Sequence, residues 1–201
     1  MAHVALFDPC YMATLSPGDV DNARSVLEAL GDEVTLIDGR CCGQPAFNSG
    51  YRAEAKTAGR ELLKAAQPWS TVVIPSGSCC TMVQHFLPAL YGGERRLGAQ
   101  SIANRFHEFG QYVARHPNID RISLKLDGVV AYHDACHGRR ELGITEDVIS
   151  LLSRVQGLEL RRLAHEEECC GFGGTFAIKM PEISVAMMTS KLDDVVSTGA
   201  R

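Results

Sequence analysis

No run of about 18 apolar residues, the length a helix needs to cross a bilayer core, occurs in this 201-residue chain. A membrane-spanning helix is therefore not expected. The start, Met1-Ala2-His3-Val4-Ala5-Leu6-Phe7-Asp8, lacks the charged leader and apolar stretch of a signal peptide, so a cytoplasmic location is expected. A basic cluster is missing too: 20 Lys and Arg stand against 24 Asp and Glu, a net charge of -4, which argues against a polyanion-binding surface. Gly171, Gly173 and Gly174 lie close together but follow neither G-x-G-x-x-G nor P-loop spacing, which argues against nucleotide binding. No Ser-His-Asp or paired-carboxylate arrangement can be read from the order of residues. With 45% hydrophobic and 22% charged residues, the chain is expected to be soluble, globular and able to bury a core.

Cysteine, by contrast, is plentiful. The eight stand at positions 10, 41, 42, 79, 80, 136, 169 and 170. In a reducing compartment such thiols serve as metal ligands or redox groups more often than as disulfides. Cys41-Cys42-Gly43 recurs as Cys169-Cys170-Gly171, and each triplet is preceded by a lone cysteine, Cys10 or Cys136, 31 and 33 residues upstream. Each lone cysteine follows an apolar stretch, Val4-Ala5-Leu6-Phe7 or Val129-Val130-Ala131-Tyr132, so an internal duplication is inferred.

Hydrophobic patterning predicts strands over 3–7, 33–37 and 71–75, alternating with helices over 20–30, 51–66 and 81–90. A surface loop over 91–96 and a helix over 101–115 are expected next. The second half is read as strand 128–132, helix 146–152, strand 158–163 and helix 182–196. The fold class is thus α/β: two similar parallel-sheet halves, with cysteine loops at the carboxyl ends of the strands, where open parallel sheets bind ligands. The divisions are 1–100 for the first half, 101–127 for a connecting helix and linker, and 128–201 for the second half, whose repeat is cut short.

Thiolates are soft ligands for iron-sulfur clusters and zinc, and they must come from separate loops to meet at a sheet edge. Glycine after each pair permits positive φ and leaves space beside the backbone. Cys80 is either a further ligand or a buried inert thiol, because Cys79 already fills the repeat position. His133 and His137 flank Cys136 as candidate ligands or hydrogen-bond donors, against a backbone-capping role. Glu166-Glu167-Glu168 reads as a solvated charged face, and Met180, Met187 and Met188 as helix core.

The segments Cys41-Cys42-Gly43-Gln44-Pro45-Ala46-Phe47-Asn48-Ser49-Gly50-Tyr51, Pro75-Ser76-Gly77-Ser78-Cys79, Tyr132-His133-Asp134-Ala135-Cys136-His137 and Cys169-Cys170-Gly171-Phe172-Gly173-Gly174-Thr175-Phe176 together resemble the lactate-utilisation protein A family. That family sits in the wider CCG, or cysteine-rich domain, group with iron-sulfur subunits of glycolate oxidase and anaerobic glycerol-3-phosphate dehydrogenase and the catalytic subunit of heterodisulfide reductase. The resemblance implies a small iron-sulfur, electron-transfer subunit of a cytoplasmic system that oxidises L-lactate to pyruvate. Its partners would be a ferredoxin-type iron-sulfur protein and a small third component. It implies one or two [4Fe-4S] clusters, with Cys10, Cys41, Cys42 and Cys79 as ligands in the first half and Cys136, Cys169 and Cys170 in the second. The family pattern continues with a further strand and cysteine that this chain does not contain, so a truncated second half is expected. Two alternatives stay open: a catalytic thiol/disulfide reductase like the heterodisulfide subunit, and a structural zinc protein.

Overall fold

A computed structural model of the chain describes residues 1–37 and 41–200. It divides at residues 122 and 123 into two compact units. In the first, four strands form a parallel sheet in the order β2-β1-β3-β4: β1 (His3–Phe7), β2 (Glu33–Ile37), β3 (Val72–Ile74) and β4 (Phe106–Glu108). Val4 to Phe7 and Val72 to Ile74 are wholly buried, the continuous apolar runs that parallel strands covered on both faces require. β1 is central, in register with β2 from His3↔Glu33 to Phe7↔Ile37 and with β3 at Ala5↔Val72. Because the connections from β1 to β2 and from β2 back to β3 leave in opposite directions, the carboxyl end of β1 lies at a topological switch point.

Helices α1 (Cys10–Leu15), α2 (Pro17–Ala29), α3 (Gln44–Asn48), α4 (Arg52–Ala66), α5 (Gly77–Thr81), α6 (Gly93–Ala103) and α7 (Phe109–Ala114) complete the unit. α4 buries Ala55, Gly59, Leu62, Leu63 and Ala66, a 3.6-residue stripe. α5 passes directly into one turn of π-helix, Met82–Phe86. Two expectations change here. The loop expected after β1 is the helix α1, which starts at Cys10. The expected surface loop and single helix across 91–115 are instead α6, the short strand β4 and α7. β4 was illegible because it has three residues and one apolar side chain, Phe106; its pairing with β3 supplies what its pattern does not.

At the amino ends of the strands, the buried Asp32 carboxylate accepts hydrogen bonds from Tyr112 Oη (2.9 Å) and His116 Nε2 (3.3 Å). His116 Nδ1 accepts from the Asn118 amide (3.1 Å), so the ring proton sits on Nε2, facing Asp32. Tyr112→Phe is expected to lower stability by about 1–2 kcal/mol in denaturant titration, since a bond to a buried carboxylate is lost while His116 remains.

The second unit holds two parallel strands, β5 (Lys125–Ala131) and β6 (Gln156–Arg161), with helices α8 (Thr145–Ser153), α9 (Thr175–Lys179) and α10 (Pro181–Ser197). Its cysteine-bearing β-α order repeats that of β1 and β2. The helix-core expectation fails for two of the three methionines: Met180, just before α10, and Met188 within it are exposed, as are Val185, Leu192 and Val196, while Met187 is half-buried. The buried face is polar, made of Ser184, Lys191 and Asp194. Asp194 accepts the amides of Ala164 and His165 (both 2.9 Å), Lys191 donates to the His165 carbonyl, and Ser184 donates to the Gly171 carbonyl (2.9 Å). This helix is a polar strap across the loop that carries Cys169 and Cys170.

Candidate thiol centres

Three neighbouring strands deliver the first set of thiols. Cys10 follows β1, Cys41 and Cys42 precede α3 beyond β2, and Cys79 lies in α5 beyond β3, so parallel pairing brings all three segments to one edge. Residues 38–40 of the connecting stretch lie outside the described residues. All eight cysteines are free thiols. The four expected ligands are brought together, with hydrogen bonds running Cys10–Cys41–Cys42–Cys79. Cys10 is exposed and Cys41 half-buried, whereas Cys42 and Cys79 retain 2% and 5% of their surface.

That line of contacts alternates in acidity. The Cys42 S–H donates to Cys41, and with further help from the Gly43 amide and Cys10 it pulls the Cys41 thiol down to about 5. Cys42, holding its proton between two acceptors, is pushed far up. Cys79 is lowered by Cys42 and by the Ser76 and Ser78 hydroxyls. Burial, then the neighbouring Cys41, raises Cys10 to about 11. Among the described residues, no three or more His, Cys, Asp or Glu side chains surround the position of a single metal ion. Hydrogen bonds join the thiols in the order Cys10, Cys41, Cys42, Cys79, and Cys79 is also close enough to Cys10 for its charge to be felt there.

Cys80 stands apart. It is fully buried, and burial with the Glu108 and Cys79 charges holds it firmly protonated. Adjacent helical residues point about 100° apart, so Cys79 and Cys80 face different sides of α5. Around Cys79 lie groups that sequence reading passed over. Ser76 caps α5, its Oγ accepting the Cys79 amide (3.3 Å), and it stands 3.4 Å from Ser78 Oγ. The Tyr11 hydroxyl is hydrogen-bonded to Ser76. A serine three residues before Cys79 was a usable N-cap signal.

The second set repeats the first. Cys136 follows β5, and Cys169 and Cys170 follow β6. Cys136 and Cys169 are hydrogen-bonded, with Cys170 close enough for its charge to be felt. The resemblance extends to the backbone: Gly43 and Gly171 have φ of 90° and 79°, and each donates its amide to the first cysteine of its pair, Cys41 or Cys169, at 3.4 Å. A Cβ on either glycine would stand 2.5 Å from a carbonyl oxygen of a helix further along the chain, Ala55 in α4 or Ser184 in α10. The space expected beside these glycines is therefore filled by a helix.

The loops of the second unit are joined by charge. Arg139 pairs with Asp134 (3.0 Å) and Glu166 (2.8 Å), Glu166 also takes Arg162, and Thr145 Oγ1 donates to Asp134 (2.6 Å). Glu166 thus leaves the solvated face expected of residues 166–168, and its carboxyl is held low chiefly by Arg162. His137 faces Glu141 at 3.5 Å. Both ring nitrogens of His133 are buried without a hydrogen-bond partner among the described residues, and burial, then Lys191, lowers its basicity. Ala135, just before Cys136, has φ of 53°, a left-handed conformation costly for a residue with a Cβ. Ala135→Gly is expected to raise stability by about 0.5–1 kcal/mol in thermal unfolding, because relief of about 1–2 kcal/mol exceeds the added chain entropy.

Among the described residues, no helix is long and apolar enough to cross a membrane. The family model for the cysteine-rich domain (CCG) matches residues 4–84 and 130–201, one segment per half. Lactate utilization protein A of Macrococcus caseolyticus strain JCSC5402 is 40% identical over 200 residues, covering 98% of this chain and 81% of that protein. Lactate utilization protein A 1 of Bacillus anthracis strain CDC 684 / NRRL 3495 is 36% identical, and lactate utilization protein A 2 of Bacillus cereus strain Q1 35% identical, each with 98% of this chain and 83% of the relative covered. A duplicated thiol-bearing fold and relatedness of this extent place the chain in the lactate utilization protein A family, within the cysteine-rich domain group.

Proposed function

We propose that the protein is the iron-sulfur electron-transfer subunit of a cytoplasmic system that oxidises L-lactate to pyruvate. The observation that carries this reading is the convergence of Cys10, Cys41, Cys42 and Cys79 from three strand ends, in a chain whose relatives are named for lactate utilization. The donor set suits a cluster. Four soft thiols match the four-cysteine ligation of a [4Fe-4S] centre, and a cluster spreads its irons, so each thiol can meet a different one. A structural zinc ion would instead ask all four sulfurs to lie about 2.3 Å from one point, and metal analysis separates the two.

The first site would be held by Cys10, Cys41, Cys42 and Cys79, and a second by Cys136, Cys169 and Cys170. When bound, the group supplies one-electron redox chemistry. The residues of the chain then have separate tasks. Gly43 and Gly171 direct their amides at Cys41 and Cys169, stabilising negative sulfur. Burial of Cys42 and Cys79 keeps water from the inner half of the first site. Electrons would arrive from a lactate-oxidising partner and leave to another component of the system.

Anaerobic reconstitution with iron and sulfide, followed by mixing with the two partner subunits and L-lactate, tests the proposal. Iron and sulfide in stoichiometric amounts, with lactate-dependent bleaching of the visible spectrum, are expected. Protein that takes zinc but refuses iron overturns it. Iron-loaded protein that reduces a small disulfide and ignores lactate would move the assignment to the heterodisulfide type of chemistry.

A further inference from the structure

Resting on that reading, we infer that Gln44 and Phe47 are positioning residues that lock α3 to α5 and its π turn, and so fix the spacing of Cys42 and Cys79 before any cluster is bound. Gln44 stands two residues after Cys42, and its Nε2 donates at 3.1 Å to the carbonyl of Ser78, the residue directly before Cys79. A carbonyl can only accept, so the amide nitrogen must face it. The Ser78 carbonyl already takes the Met82 amide within the helix, and Gln44 occupies its second lone pair. Three residues on, the Phe47 ring stacks on Phe86, with centroids 5.1 Å apart and planes inclined by 25°. The Arg52 guanidinium lies over the Phe47 ring, 3.6 Å from its centre.

These contacts join segments that lie 34 residues apart in the chain at Gln44 and Ser78. Phe86 closes the π turn Met82–Phe86, whose hydrogen bonds are spaced one residue wider than those of an α-helix, and that extra residue decides where its ring faces. The amide bond acts at the cysteine end of the two helices and the ring stack further along them, so α3 can neither slide along α5 nor pivot away from it. Cys42 and Cys79 are the buried thiols of the first set, and their separation is set by the two backbones that carry them. The internal repeat does not extend to this lock. Gly43 answers to Gly171, so the counterpart of Gln44 is Phe172, which has no hydrogen-bonding side chain and is 65% exposed. The lock is a property of the first unit.

The test uses the full chain, iron-free, with native Gln44 and Phe47 and as Gln44→Met, Gln44→Lys, Phe47→Leu and Phe47→Tyr. All carry Cys41→Ala and Cys80→Ala, so that Cys42 and Cys79 are the lone thiols of their segments. Each is equilibrated anaerobically with reduced and oxidised glutathione. Forming the Cys42–Cys79 disulfide converts one oxidised glutathione to two thiols, and mass spectrometry of the alkylated, proteolysed chain gives the effective concentration of one cysteine at the other. Gln44→Met keeps the side-chain volume and loses the donor, so this concentration should fall about fivefold to tenfold, the equivalent of one hydrogen bond. Phe47→Leu should lower it too, whereas Gln44→Lys, which can still donate, and Phe47→Tyr, which keeps the ring, should restore the native value. A contact that merely stabilised the fold would lower the melting temperature and leave this equilibrium in place. With all cysteines native and iron loaded, Gln44→Met should also release iron to a chelator faster than wild type. Unchanged effective concentrations in both Gln44→Met and Phe47→Leu, or a Cys42–Cys79 pair that never forms with Gln44 and Phe47 native, overturn the inference and leave the cluster assignment to its own test. Refusal of iron by wild-type protein, with the effective concentration still falling in Gln44→Met, overturns the cluster assignment and leaves the lock standing.

Discussion

Replacing Cys42 by alanine is expected to remove the iron of the first site entirely. Cys42 is the middle of the thiol line: it contacts Cys41 on one side and Cys79 on the other, and only 2% of its surface is open. Without it the inner donors are separated, and no nearby group in α5 can substitute, since Cys80 faces elsewhere and is held protonated by burial. After anaerobic reconstitution, iron and acid-labile sulfide per chain should fall by one full cluster. Cys80→Ala should retain the wild-type amounts and lose only core packing. Full iron in Cys42→Ala would show that this thiol is not a ligand. The protonation pattern adds a pH dependence. In the iron-free protein the Cys41 thiolate persists down to about pH 5, because the Cys42 S–H stabilises it, whereas Cys10 ionises only near pH 11. Alkylation at neutral pH should therefore label Cys41 before Cys10, even though Cys10 is the more exposed.

The second large effect is expected at the two glycines. Gly43→Ala forces a residue with a Cβ to φ of 90° and sets that carbon 2.5 Å from the Ala55 carbonyl oxygen; Gly171→Ala repeats the problem at 79° and 2.5 Å from Ser184. The obstacle in each case is helix backbone, which cannot turn aside as a side chain can. Backbone strain of about 1–3 kcal/mol and overpacking of about 1–3 kcal/mol together give a loss of about 2–6 kcal/mol. Unfolding of a two-unit chain need not be all-or-none, so amide exchange resolved by segment is the suitable measurement. Gly43→Ala should loosen the first unit and Gly171→Ala the second. Equal loosening of both units by either change, or none, would contradict this account.

Much of this organisation was legible in the residue order because the signals were strong and local. Val4-Ala5-Leu6-Phe7 and Val72-Val73-Ile74 are apolar runs that read directly as buried strands, and the Cys-Cys-Gly repeat marks the duplication by itself. What escaped depended on partners distant in the chain. β4 exists because β3 offers it an edge. The polar inner face of α10 exists because the loop at 163–171 exposes amides and carbonyls that Lys191, Asp194 and Ser184 can satisfy. A hydrophobic-pattern reading places methionines inside such a helix; here unpaired backbone groups decided the orientation. The Ser76, Ser78 and Tyr11 hydroxyls escaped for a related reason, since Tyr11 meets Ser76 only when the segments after β1 and β3 are side by side.

The order β2-β1-β3 also governs when the first thiol set comes into being. Cys10 and Cys79 become neighbours only after β3 has docked beside β1, so their meeting reports completion of the sheet rather than any local event. An inorganic group gripping both would close a ring of roughly seventy residues, and bridging so long a stretch of polymer removes much of the freedom available to the denatured chain. The same atoms that carry electrons would thereby act as a clasp, and stripping them out should lower the melting temperature of the first unit.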